Sequence, residues 1–224
     1  MLEKQPPLTN EELAEFRAWL EEKNKPRRII VGISGASMPQ YGIRTVGILS
    51  QMPNVETHLV VTSNARLVMR TEMGMSANQV QNMIDGWAEK GVIVYGENQQ
   101  EASISSGSFK TEGLLVIPCS VNTLALIANG FDSSLIARAA RCCFKERRKV
   151  VLVYRETPYD GSMLRNMTLV NDDGGIILPP VLAFYHGPKT IEDIVDHGVG
   201  KALDQFGIDA KLFQRWETPP ASLQ

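Results

Sequence analysis

Small polar residues follow four apolar runs of this chain, and at the fourth they are joined by an Arg-Glu pair. Ile29–Ile33 leads into Ser34-Gly35-Ala36-Ser37, and His58–Thr62 into Ser63. Leu114–Ile117 leads through Pro118 into Cys119-Ser120-Val121-Asn122-Thr123, and Val150–Tyr154 into Arg155-Glu156-Thr157-Pro158. Small residues let a ligand approach the backbone, and free N–H groups at a helix start attract anionic oxygens. Capping of the following helix accounts for any one of these ends alone. Four of them along one sheet edge point to donors for a polar, phosphorylated ligand. The first turn is neither a full dinucleotide fingerprint nor a P-loop, because no Gly-Lys-Ser/Thr follows it.

Several charged groups extend this chemistry. Arg155-Glu156 sits directly after a buried run, either as a self-contained ion pair or as a phosphate holder beside a proton donor or acceptor. Arg138 and Lys145 are seven residues apart on one expected helix and share nearly one face. They serve either a phosphate pocket or a solvated helix end that complements the dipole. Tyr185, in Phe184-Tyr185-His186, places a phenol beyond Ile177-Leu178-Pro179-Pro180. Ser106-Gly107-Ser108-Phe109 reads as a connector or a ligand-contacting turn. His58, His186 and His197 show no metal spacing and no matched Cys or acidic partner, so no metal site is expected. Cys142 and Cys143 fall within a helical stripe and belong to the core, while Cys119 has no evident base.

Positioning these groups requires strands that alternate with helices. Expected strands are Ile29–Ile33, His58–Thr62, Val92–Tyr95, Leu114–Ile117, Val150–Tyr154 and Gly175–Leu178; expected helices cover 39–51, 64–72, 76–88, 121–128, 133–147, 161–171 and 190–206. Continuous apolar strands between helices predict a three-layer α/β sandwich around a mainly parallel sheet. Such sheets bind ligands at the carboxyl ends of their strands. Residues 1–27 read as a helical extension opened by Pro6-Pro7 and a Thr9/Glu12 capping box. Leu13, Phe16, Leu20 and Trp19 form its narrow apolar stripe, and a lone helix this short must dock on its own domain or a neighbouring subunit. The main domain covers 28–216 and a tail covers 217–224. An apolar fraction of 43% supplies a core, and a net charge of −2 gives no case for nucleic acid or an acidic membrane. The polar, acidic N-terminus, the absence of a run near 20 apolar residues and only three cysteines point to a cytoplasmic protein with no membrane span.

In order and at matching spacing, Ile-Val-Gly-Ile-Ser-Gly-Ala-Ser (30–37), Glu-Thr-His-Leu-Val (56–60), Ala-Ser-Ile-Ser-Ser-Gly-Ser-Phe (102–109), Pro-Cys-Ser (118–120), Lys-Glu-Arg-Arg (145–148), Arg-Glu-Thr-Pro (155–158), Ile-Leu-Pro-Pro (177–180) and Ala-Phe-Tyr-His (183–186) resemble the UbiX-type flavin prenyltransferases. The resemblance runs from about Arg28 to Trp216. It implies a flavodoxin-like Rossmann fold, a homododecamer, and metal-independent transfer of a dimethylallyl group from dimethylallyl monophosphate to N5 and C6 of reduced FMN. The product, prenylated FMN, serves UbiD-type decarboxylases. By the same resemblance Gly35, Ala36, Ser37, Ser63, Ser120, Val121, Asn122, Thr123 and Arg155 contact FMN. Glu72, Arg138, Lys145, Glu156 and Tyr185 surround the prenyl phosphate, with Lys201 where the family has Arg. Glu156 is the expected acid, and Ser37 a positioning or relay group. Met38 stands where the family usually has Gly, Gly187 replaces an Arg, and Tyr159–Met163 replaces a Leu-His-Leu-Gly-His stretch. These departures leave a second reading open: a non-catalytic protein that binds, stores or delivers FMN or prenylated FMN to a decarboxylase.

Overall fold

A computed structural model describes residues 9–23 and 25–216. Pro6-Pro7 and the tail from 217 lie outside the described residues, as do the side chains of Trp19 and Leu20. The order is α1 (Asn10–Lys23), β1 (Arg27–Ile33), α2 (Pro39–Leu49), β2 (Val55–Val61), α3 (Ser63–Met73), α4 (Ala77–Ala88), β3 (Ile93–Tyr95), β4 (Gly113–Cys119), α5 (Val121–Ala128), α6 (Leu135–Lys145), β5 (Lys149–Tyr154), α7 (Gly161–Asp172), β6 (Ile176–Ile177) and α8 (Ile191–Asp204). A 3-10 turn at Ser103–Ser105, not expected from the sequence, precedes β4. Among the described residues no helix is long and apolar enough to cross a membrane.

The six strands form one sheet in the order β3-β2-β1-β4-β5-β6, and every pairing is parallel. Alternate side chains of each strand therefore enter different layers. Ile29, Val31 and Ile33 pack with Leu115, Val153 and residues of α2, α3, α4 and α8. Ile30, Leu114, Val116 and Leu152 face α5, α6 and α7. Burial on both faces explains why the strands read as unbroken apolar runs.

Local signals fix most boundaries. Thr9 and Glu12 make the expected box at the start of α1, and Ser76 and Gln79 make another before α4. α6 is shorter than the expected 133–147. Ser134 caps its start by accepting from the Ala137 N–H, and Arg147, at φ 57, breaks its end. β6 shrinks to Ile176–Ile177: Gly174, at φ 87, turns the chain just before it, and Pro179-Pro180 cannot donate to a ladder beyond it.

Candidate active site

Because the sheet is wholly parallel, the turns after β1, β2, β4 and β5 share its carboxyl edge. β1 and β4 are neighbours, yet the chain leaves β1 toward the α2 layer and β4 toward the α5 layer. That reversal opens a crevice between their two turns. Ser34, buried, ties its sides together. Its hydroxyl donates to the Pro118 carbonyl at 2.9 Å and accepts from the Ser120 N–H at 2.8 Å. Gly35 packs so closely on α3 that an added Cβ would lie 2.5 Å from Asn64 Cβ. Ala36 donates back to Ser34 at 2.8 Å, and Ser37 follows in the same turn. Met38, which precedes α2, donates its N–H to the Glu72 carboxylate at 3.1 Å, so Glu72 braces this turn from the last turn of α3.

On the opposite side, Ser120 caps α5 by accepting from the Thr123 N–H, and the two hydroxyls lie 3.0 Å apart. The N–H groups of Val121 and Asn122 open the helix, where no intrahelical acceptor precedes them. Arg155 donates its N–H to the Cys119 carbonyl at 3.1 Å, which fixes the next turn beside this one. Its guanidinium has no hydrogen-bond or ion-pair partner among the described residues. The Glu156 carboxylate accepts from its neighbour Thr157 N–H at 2.9 Å. Behind it the Tyr154 hydroxyl is buried with no hydrogen-bond partner among the described residues, and burial, followed by the charge of Glu156, pushes that phenol up to about 12. Ser63 reaches the same edge, but its N–H and hydroxyl both donate to Glu97, at 2.8 and 2.6 Å.

A second group of side chains lies past β6. The Tyr185 hydroxyl is 3.0 Å from His197 Nε2 on α8. His197 and Lys201, one helical turn apart, line a cavity of about 270 Å³ with Val153, Leu178, Pro179 and Pro180. The remaining cations lie elsewhere. The Arg138 guanidinium holds Asp132 at 3.1 Å and the Ser105 carbonyl at 3.2 Å. Lys145 pairs with Glu146 at 2.7 Å and lies against Gly107. Arg148 clamps the carbonyls of Gly107 and Phe109 just before β5 begins, so Lys145 sits at the amino edge of the sheet, opposite Glu156. The 106–109 segment is thus a pinned turn rather than a loose connector.

The model of the flavoprotein family matches residues 17–203. A probable UbiX-like flavin prenyltransferase from Sedimentibacter hydroxybenzoicus is 44% identical over 190 residues, which is 85% of this chain and 97% of the relative. The chain belongs to the UbiX-type flavin prenyltransferase family. A solved structure of AnUbiX (PadA1) in complex with FMN and dimethylallyl pyrophosphate superimposes with a TM-score of 0.79 at 41% identity, covering 87% of this chain and 99% of that one. A dodecameric FMN-dependent UbiX-like decarboxylase from Escherichia coli O157:H7 does so at 0.78 and 41%, covering 85% and 100%.

Membership gives the unusual residues a physical reading. Met38 adopts φ 74 and ψ 47, the left-handed conformation for which glycine, the usual family residue here, is suited. Its side chain packs on the core layer of α2. Gly187 also lies at positive φ, 66°, in the turn that follows Tyr185. Cys119, fully buried, has its thiol pushed far above the usual range by burial, which disfavours the nucleophilic thiolate.

Four participants escaped sequence reasoning. Ser34 reads as one more turn residue, and its bridging role depends on β4 lying next to β1. Glu97 gave no signal, because its partner Ser63 is 34 residues away. His197 is linked to Tyr185 only by the fold. His58 does have an acidic partner, Glu56 at 2.8 Å, contrary to the expectation of none. Their spacing of two on a strand, which puts both on one face, was the available signal.

Proposed function

We propose that this chain is a flavin prenyltransferase that transfers a dimethylallyl group from dimethylallyl monophosphate to reduced FMN, supplying prenylated FMN to a UbiD-type decarboxylase in the cytoplasm. What carries the reading is the joining, at one carboxyl edge, of two tied turns, the adjacent Glu156 and an Arg155 guanidinium with no partner among the described residues. The donor set fits FMN. Hydroxyls of Ser37, Ser120 and Thr123, the side chain of Asn122, the opening N–H groups of α5 and the Arg155 guanidinium suit a phosphate ester on a hydroxylated chain. Gly35, Ala36 and Val121 would contribute backbone contacts, and Ser63 would join them once it leaves Glu97. Bound in reduced form, the flavin supplies the nucleophilic positions N5 and C6.

Cleavage of an allylic C–O bond leaves charge on the departing phosphate. Cationic groups must meet that charge as it grows, and an acid must cap it. Tyr185 and Lys201 would hold the phosphate beside the apolar cavity, and Glu156 would hold the proton at its leaving oxygen. Ser37, braced through Met38 by Glu72, would orient the reacting groups. Arg138 and Lys145 complete the charge only if a neighbouring subunit supplies Lys145, since its own protomer places it at the far edge. A homododecamer, the state named for the Escherichia coli O157:H7 neighbour, provides such neighbours. The catalytic domain spans 28–216, with 1–27 as an N-terminal extension that contains α1.

Anaerobic incubation with reduced FMN and either dimethylallyl monophosphate or the diphosphate, followed by flavin mass analysis, tests the assignment. A prenyl adduct is expected, and bound FMN that gains no mass with either donor would overturn it. Glu156→Gln should slow transfer by about 100-fold or more while sparing FMN affinity. Unchanged turnover would remove Glu156 from the chemistry.

A further inference from the structure

We propose that His197 is the positioning residue for Tyr185: its Nε2–H donates to the phenolic oxygen, which leaves the Tyr185 proton for the phosphate of the prenyl donor. The inference rests on the function proposed above. Tyr185 lies on irregular chain between β6 and α8, half-exposed, where no regular backbone ladder sets its direction. His197 is the opposite case. It is buried on α8, stacked on His186 at 4.6 Å between centroids and 6° between planes, with the Phe213 ring against it at 4.7 Å and 64°. Those two rings fix the plane of the imidazole and leave Nε2 directed at the Tyr185 hydroxyl, 3.0 Å away.

A neutral imidazole carries one ring proton. Burial, then the neighbouring His186 and Lys201, hold His197 below the usual histidine range, so the neutral form prevails near neutral pH. A phenol that spends its proton on the imidazole presents only lone pairs outward, which repel a phosphate. A phenol that accepts from Nε2–H presents its proton instead. Lys201, four residues on and therefore on the same helix face, lines the same cavity. The anion that Lys201 attracts selects the second arrangement.

The test uses the full chain in its native assembly, with dimethylallyl monophosphate and reduced FMN. His197→Phe keeps a ring between His186 and Phe213 but removes the donor. It should lower kcat/KM for the prenyl donor by about tenfold, with FMN affinity unchanged. In a Tyr185→Phe background the same change should cost nothing further, because the two residues act through one hydrogen bond. His197→Gln, whose amide N–H reaches the Nε2 position, should recover most of the loss, whereas His197→Asn should not. Wild-type kcat/KM in His197→Phe would overturn the proposal, as would an equal loss in both backgrounds or equal activity in the Gln and Asn variants. The Gln and Asn pair decides the matter if the Phe variant does not fold. Failure of the wild-type protein to form any adduct would overturn the function itself, and this role with it.

Discussion

At the scale of single residues, Met38 carries the clearest conflict between sequence and backbone. A left-handed conformation costs an L-residue about 1–2 kcal/mol relative to glycine. Met38 offsets part of this through its packing on the α2 layer. Removing the side chain alone therefore differs from removing the strain. Met38→Ala loses packing and keeps the left-handed backbone, while Met38→Gly loses the same packing and relieves it. The Gly variant should be more stable than the Ala variant by about 1 kcal/mol in denaturant unfolding. In an ordinary loop or helix the order is reversed, and finding that reversed order here would refute the left-handed assignment. The sequence marks Met38 as a departure from the family, but not the reason. The angle is imposed by the turn that brings Ser37 and the Glu72 brace together, and no local residue preference encodes it.

Single contacts become consequential where they join elements. Ser34 is too buried to touch a ligand, yet its hydroxyl links the turn after β1 to the turn after β4. Ser34→Ala removes the acceptor of the Ser120 N–H, while the Pro118 carbonyl keeps only the Ser34 N–H at 3.2 Å; the orphaned N–H costs about 1–3 kcal/mol. The substitution should lower the melting temperature and weaken FMN binding together; FMN titration giving wild-type affinity would show that the crevice does not depend on this tie. A second link runs through β2. Arg28 holds Glu56 at 2.7 Å, Glu56 holds His58, His58 meets the Tyr95 hydroxyl at 2.9 Å, and Tyr95 meets Ser103 at 2.8 Å. This chain fastens the Ser103–Ser105 turn, whose Ser105 carbonyl receives Arg138. Burial, outweighing Glu56, lowers His58 below its ordinary value of 6.5. As pH falls the unfolded chain therefore takes up this proton first. Stability is full above about pH 6.5 and declines below it, toward the folded value. Thermal melts from about pH 7.5 to about 5.5 should show that decline, and a smaller one in His58→Gln. An equal slope in both proteins would mean that His58 is not its source. Strand and helix positions were legible in the sequence because apolar period and caps act locally. Apart from the Glu56/His58 spacing on one strand, these two links were not, since the rest of each depends on which strands become neighbours.

Across the whole molecule, the parallel sheet explains both what gathers at its carboxyl edge and what does not. Lys145 and Glu156 lie only eleven residues apart in the sequence, which invites placing them in one pocket. β5 separates them. Its six residues rise about 3.3 Å each, so the two edges are roughly 20 Å apart, beyond the reach of a lysine side chain. Periodicity shows that a strand intervenes but says nothing of a second copy of the chain. If Lys145 acts at all, it acts on the site of another subunit in a symmetric assembly. Lys145→Ala and Glu156→Gln should each abolish most prenyl transfer as pure proteins. Co-expressed, the two variants should form mixed oligomers in which some sites pair an intact Glu156 with an intact Lys145 from a neighbour. Activity in that mixture should exceed that of either pure variant measured at equal total protein. A mixture no more active than its parents would show that Lys145 plays no part across the subunit boundary, and would leave its pairing with Glu146 at the amino edge as its whole role.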